Sequence, residues 1–100
     1  MVVAKLEQRT DTTLALVGNI DRDTVPELWR TIQTVSFTQP EVKLELKQVE
    51  RFDSAGLVML IHLLEHAKNR KCHIMLSFVP DELNILFQLY NVESVIEKHI

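Results

Sequence analysis

The sequence predicts one α/β domain, in which a four-stranded mixed sheet packs against three to four helices. Three observations lead to this fold class. The 100 residues are the length of a single domain. Segments with alternating apolar residues are followed by segments with helical periodicity. No repeat, linker or low-complexity tract divides residues 1–100. The expected order of elements is therefore β-β-α-β-α-β-α within one domain.

The first third of the chain is expected to form a hairpin followed by a helix. Strands are predicted over residues 2–8 and 13–17, and the second of them is apolar enough to be buried on both faces. Thr24 and Glu27 have the spacing of a capping box, so the first helix should begin at Thr24 and end near Ser36. The residues expected on its core-facing side are Leu28, Ile32 and Val35.

The rest of the chain continues the alternation of strands and helices. Residues 42–47 alternate strictly, which predicts a strand with one solvent-exposed face. Since a helix connects it to the second strand, a right-handed parallel crossover is expected. Residues 54–70 have the clearest helical pattern, residues 73–78 form the fourth strand, and Pro80-Asp81 opens a third helix, with a short last helix over 92–100. The fourth strand should direct Ile74, Leu76 and Phe78 to one face.

Composition and charge exclude several classes of protein. The net charge is −3 with no basic block, which argues against a nucleic-acid partner. No segment approaches the ~20 apolar residues that span a bilayer, so no direct membrane insertion is expected. The N-terminus lacks the pattern of a signal peptide. The single cysteine, Cys72, fits a reducing compartment, and we interpret it as a packing residue. From these observations we expect a cytoplasmic location.

The segment Asp53-Ser54-Ala55-Gly56 joins a strand to a helix, where open α/β sheets place functional residues. Ser54 is expected to be the N-cap, with the charge of Asp53 beside the positive end of the helix. A glycine inside a helix costs about 0.5–1 kcal/mol relative to alanine, so Gly56 indicates a close approach of other atoms. Two interpretations stay open: an uncluttered platform for a partner, or a glycine packed against its own sheet.

The outward side of this helix is less polar than that of an ordinary surface helix. Ala55, Met59, His62 and His66 should lie opposite the core-facing side, with Val58 and Leu63 on the flanks. An apolar strip of this kind indicates a protein-binding face, unless a second layer of the same domain covers it. Trp29, on the flank of the first helix, is either the edge of the core or an interface anchor.

Motifs for catalysis, cofactors and metals are missing from the sequence. His62 and His66 are four residues apart, but the zinc-protease pattern requires a glutamate where Leu63 stands, and no third ligand is apparent. Ser54 has no G-x-S-x-G context, and no glycine-rich phosphate loop exists. We therefore expect no enzyme activity, no cofactor and no metal. The Ser54 hydroxyl can still accept a phosphoryl group.

The residues around this corner resemble the STAS domain family. The resemblance depends on the DSAGL motif after a leucine-rich strand and on the segment TLALVGNID, and it covers nearly the whole chain. Leu28-Trp29, the helix GLVMLIHLLEHAK and the segment Leu89-Tyr90-Asn91-Val92 are similar to the small STAS subunits of Mla phospholipid-transport ABC systems.

This resemblance implies a STAS-like fold and a non-catalytic cytoplasmic subunit at the inner membrane, in a system that maintains outer-membrane lipid asymmetry. The implied partner is the ABC ATPase subunit, and through it the permease and lipid-binding subunits. The family's hydroxyl falls on Ser54 and its tryptophan on Trp29. Anti-sigma-factor antagonists share the motif, so a switch operated by phosphorylation of Ser54 is the alternative function. The residues expected to contact a partner are Trp29, Asp53, Ser54, Ala55, Gly56, Val58, Met59, His62, Leu63 and His66.

Overall fold

A four-stranded mixed sheet forms the centre of the computed structural model, which describes residues 4–100. Its strands lie in chain order, from the one that begins at Lys5 to the one that ends at Ser77; the first pair is antiparallel, and the other two pairs are parallel. The predicted fold class, an α/β domain with a four-stranded mixed sheet, is confirmed. The strands are β1 (Lys5–Thr10), β2 (Thr13–Ile20), β3 (Glu41–Phe52) and β4 (His73–Ser77).

Helices cover one face of this sheet. They are α1 (Val25–Thr34), α2 (Ser54–Lys68), α3 (Asp81–Leu89) and α4 (Glu93–Ile96), followed by a 3₁₀ turn over Glu97–His99. In β3 the side chains of Val42, Leu44 and Leu46 are buried, whereas Lys43 and Lys47 between and beyond them are exposed. The same alternation in β4 shows that the helices bury one side of the sheet and leave the other side open.

The two central strands are longer than their sequence patterns indicate. β2 continues through Gly18 to Ile20, and β3 continues from Lys47 to Phe52, so the two strands remain paired to their ends. Gly18 has φ 94° at an irregularity in this pairing, a conformation that favours glycine. Residues 18–20, which lie beyond the end of the second strand predicted from the sequence, are therefore also strand.

Three local predictions need correction. Ala4, predicted to be in the first strand, precedes β1, which begins at Lys5; residues 2 and 3 of that predicted strand lie outside the described part of the chain. The capping box is wrong, because the Thr24 hydroxyl donates to the Asn19 carbonyl (2.7 Å) and makes no cap bond to α1. Phe78 was expected to end the fourth strand on the same face as Ile74 and Leu76, but it adopts φ 58° after β4 has ended and is 59% exposed.

Candidate protein-docking site

Asp53 caps α2 and fixes the corner between β3 and α2. Its Oδ1 accepts from the backbone N–H of Gly56 (2.9 Å), and its Oδ2 accepts from the backbone N–H of Arg22 (3.2 Å) in the loop after β2. The predicted cap at Ser54 is therefore wrong by one residue. Ser54 is instead the first residue of α2, where its side chain is exposed.

Replacement of Asp53 by alanine should lower the free energy of unfolding by about 1 kcal/mol, the usual cost of losing an N-cap side chain. Asparagine retains an oxygen that can accept from Gly56, so Asp53→Asn should keep most of this stability. Urea unfolding of the three proteins measures both effects. Equal losses in the alanine and asparagine variants would show that the cap bond is not the cause.

Gly56 is buried where α2 begins against the end of β2. A Cβ atom at this position would lie 2.2 Å from the carbonyl oxygen of Ile20 and 2.9 Å from Cδ1 of Phe52. The structure thus supports the second interpretation, in which the glycine lets the helix pack closely on its own sheet. Gly56 has no side chain and is buried against the end of β2, so it has no surface that a partner could contact. This corrects its assignment as a contact residue.

Two further residues of the expected outward strip are in the core. Met59 is 2% exposed and Leu63 is fully buried. The reason is that α2 packs against the sheet on one side and against α1 on another, so that its buried arc is wider than a single stripe. Leu63 therefore does not project toward a partner as predicted, whereas Met59, although buried, still lines the groove described next.

Three residues of the strip, Ala55, Val58 and His62, stay accessible and line a shallow groove between α1 and α2. This α1–α2 groove has a volume of about 460 Å³ and contains no charged residue. Val58 is 52% exposed in it, and Ser54 immediately precedes the groove residue Ala55. The groove is lined by Val25, Pro26, Trp29, Ala55, Val58, Met59 and His62.

Trp29 forms one wall of the groove and is held by two histidines of α2. Its ring centroid is 6.1 Å from that of His62 and 5.6 Å from that of His66, the latter in an edge-to-face arrangement. His66 in turn lies edge-to-face with Phe37 at 5.7 Å. His66 is half-buried and packs against the inner side of Trp29, so it helps to hold the tryptophan ring in place.

The protonation of His66 follows from its neighbours. Arg70 Nη1 lies 3.2 Å from Nδ1 of His66, and because a guanidinium can only donate, Nδ1 is the acceptor and Nε2 carries the proton. Burial, and then the charge of Arg70, lower the pKa of His66. The ring is therefore neutral near pH 7 and packs against Trp29, and its Nε2 is buried without a hydrogen-bond partner within residues 4–100.

Cys72 and the possibility of a membrane span were also raised by the sequence. Cys72 is 1% exposed, and burial, together with Glu41, raises the pKa of its thiol. The thiol is therefore protonated and packs in the core. Within residues 4–100, every helix is too short or too polar to cross a bilayer.

The order of strands and the helix that begins at the Asp53-Ser54 corner define a STAS domain. A solved anti-sigma-factor antagonist from Mycobacterium paratuberculosis is similar with a TM-score of 0.67 at 20% identity, covering 95% of this chain and 82% of that chain. The Bacillus cell-fate determinant SpoIIAA in its phosphorylated form also has a TM-score of 0.67, at 17% identity, with 92% and 86% covered. At these identities the likeness shows the fold.

Residues 3–97 match the family model described as MlaB, STAS domain, and the chain belongs to this family. It is 33% identical over 86 residues to the intermembrane phospholipid transport system binding protein MlaB of Escherichia coli K12. This alignment covers 86% of the present chain and 87% of the E. coli protein. The resemblance inferred from the DSAGL motif, Trp29 and the α2 sequence is confirmed.

Proposed function

We propose that the protein is the STAS subunit of a phospholipid-transport ABC system and binds its ATPase subunit through Ser54 and the α1–α2 groove. In this proposal it is a non-catalytic, cytoplasmic subunit at the inner-membrane face, and it supports assembly and activity of a complex that maintains outer-membrane lipid asymmetry. The observation that carries the proposal is an open, uncharged groove beside Ser54 in a relative of MlaB.

The groove provides the energy of association. Covering the exposed half of Val58 contributes about 1 kcal/mol by burial of apolar surface. Trp29 adds a large rigid surface, and tryptophan is enriched among residues that dominate binding. A partner side chain that enters the groove would displace water from both.

The backbone N–H groups at the start of α2 would fix the orientation of the bound partner. The first N–H groups of a helix have no acceptor within it. Asp53 satisfies those of Gly56 and Leu57. Within residues 4–100 the N–H groups of Ser54 and Ala55 and the Ser54 hydroxyl have no acceptor, so they can donate to a carbonyl or carboxylate of the partner. This arrangement is a docking corner and has none of the acid–base pairs that a reaction centre requires.

Replacement of Ser54 by arginine should abolish stable association with the ATPase subunit. The long cation would cover the entrance to the uncharged groove and would have to lose its hydration on docking. Because Ser54 is exposed, the variant should keep its fold. The measurement is the amount of this subunit recovered with a tagged ATPase subunit after co-expression.

The matched control places arginine on another exposed helical position, Asn84→Arg in α3, outside the groove. It should co-purify like the natural protein, and thermal unfolding should show that both variants are folded. Full recovery of Ser54→Arg with the ATPase would contradict the proposed docking corner.

A second candidate function is an anti-sigma-factor antagonist switched by phosphorylation of Ser54. It is favoured by the exposed Ser54 side chain at the start of α2, where the helix dipole stabilises a phosphate. Intact-mass measurement after incubation with an active anti-sigma kinase and ATP tests it. Absence of a phosphorylated species would eliminate this candidate.

A further inference from the structure

A second concavity lies at the C-terminal end of α2, the end opposite Ser54. Its volume is about 240 Å³. Its lining contains three lysines and two histidines and no carboxylate, although the whole chain has a net charge of −3. We call it the basic hollow; it is lined by Pro40, Lys68, Lys71, Cys72, His73, Lys98 and His99.

The two histidines of the basic hollow are held in place by the fold. Their rings are stacked, with centroids 4.7 Å apart and an interplanar angle of 18°. His99 Nδ1 donates to the carbonyl oxygen of Ile74 (2.7 Å), since a carbonyl can only accept. This bond ties the last 3₁₀ turn to β4 and leaves Nε2 of His99 as the ring nitrogen free to meet a ligand.

The lysines come from three different places in the chain. Lys68 ends α2, and Lys98 is in the last 3₁₀ turn. Lys71 lies in the turn before β4 with φ 60°, where glycine or asparagine is the usual residue. Within residues 4–100, none of these three lysines is in an ion pair. The three unpaired ammonium groups outnumber the carboxylates that act on residues of the hollow, Glu41 on Cys72 and Glu65 on His99, so the local field favours an anion.

From this arrangement we propose that the basic hollow binds a phosphate group, carried by a free anion or by a lipid headgroup. The ammonium groups supply charge and His73 supplies a ring N–H, whereas Nε2 of His99 becomes a donor only when that ring is protonated, because its Nδ1–H is bonded to Ile74. The stacked imidazoles repel each other when both are protonated, and an anion between the lysines offsets that repulsion. Docking through the α1–α2 groove would leave the hollow accessible, because the two sites are at opposite ends of α2.

The charged neighbours of His99 decide how its titration should respond. They are Lys68 and Glu65 on α2, His73 on β4, Lys98 and Glu97 in its own turn, and Glu41 on β3 beside His73. Burial is the main cause of a lowered pKa for His99 in the free protein, with His73 and Lys68 acting in the same direction. A bound anion should therefore raise this pKa.

Nuclear magnetic resonance of the full chain provides the test, with sulfate and inorganic phosphate as probes and sodium chloride added to hold ionic strength constant. We expect saturable shifts at the His73 and His99 rings and at the Lys71 amide. The pKa of His99 should rise in sulfate, which keeps its own charge across the titration. Shifts that follow ionic strength alone, or a His99 pKa that is unchanged, would overturn the proposal.

A charge-reversal pair makes the test specific. Lys71→Glu with Lys98→Glu should weaken sulfate binding by about tenfold or more, equivalent to the loss of one good contact. Lys5→Glu with Lys43→Glu makes the same change in net charge on exposed strand positions and should bind like the natural chain. Equal weakening in both pairs would show a general charge effect and would overturn the site.

Vesicles distinguish the two sources of the phosphate group. Co-sedimentation with phosphatidylglycerol vesicles, but not with phosphatidylcholine vesicles, that is lost in the Lys71/Lys98 pair would identify a lipid headgroup. Binding of inorganic phosphate without vesicle binding would identify a free anion. Failure of both arms would overturn the proposal and leave the docking function untouched, since co-purification with the ATPase is measured separately.

Discussion

Replacement of Gly56 by alanine should lower the free energy of unfolding by about 2–3 kcal/mol, in the range of overpacked core substitutions. The added Cβ would lie 2.2 Å from the Ile20 carbonyl oxygen, a backbone atom that cannot rotate away. The start of α2 would have to move off the end of β2, which would also strain the bond from Asp53 to the residue-56 N–H. Alanine's better helix propensity returns at most about 1 kcal/mol of this cost.

Urea unfolding measures this loss, and the neighbouring position provides the control. Ala55 is half-buried rather than fully buried, so Ala55→Ser, which also adds one heavy atom, should change stability by less than about 0.5 kcal/mol. A Gly56→Ala protein as stable as the natural one would show that helix and strand have more room between them than the structure indicates.

The strands of the sheet were largely predicted from the sequence, because apolar and polar residues alternate along them. Residues 42–47 gave the first half of β3 correctly. Its second half, from Gln48 to Arg51, carries mostly exposed side chains without alternation, and its strand structure comes from pairing with β2. A pairing partner of this kind is a long-range contact that a local pattern does not contain.

The structure brings most of the predicted contact residues together along α2 and beside Trp29 of α1, but it does not leave all of them at the surface. The apolar character of α2 was evident, yet sequence periodicity does not say how many neighbours a helix has, and α1 in addition to the sheet buries Met59 and Leu63. The cap assignment depended on the exact end of β3, which decides whether Asp53 or Ser54 faces the Gly56 N–H. Both interpretations of Gly56 were consistent with the sequence, and only the position of Ile20 separates them.

The basic hollow could not be predicted from the spacing of its residues in the sequence. His99 meets the Ile74 carbonyl across 25 residues of chain, and it stacks on His73 only because the last turn folds back on β4. The preference of a helix C-terminus for cations explains lysines near residue 70 from the sequence alone. That explanation accounts for Lys68 at the end of α2 but not for the convergence of Lys98 on the same hollow.

Replacement of Trp29 by alanine should weaken binding to the ATPase subunit by about 30-fold or more, equivalent to about 2 kcal/mol, the size expected for a tryptophan hot spot. Trp29 forms a wall of the α1–α2 groove, and His62 and His66 hold its ring in place before the partner arrives. Truncation removes both the contact surface and this preorganisation. Isothermal titration calorimetry with the purified ATPase subunit measures the affinity.

Three comparisons distinguish the loss of the Trp29 contact with the partner from unfolding of the variant. Trp29→Phe keeps an aromatic ring against His66 and should retain most of the affinity. Arg30→Ala, at the next and exposed position of α1, should bind like the natural protein. Thermal unfolding of Trp29→Ala shows whether the protein is folded at the temperature of the titration. If the folded alanine variant binds with unchanged affinity, Trp29 is only the edge of the core, and the partner must contact the Ser54 end of α2 without entering the groove.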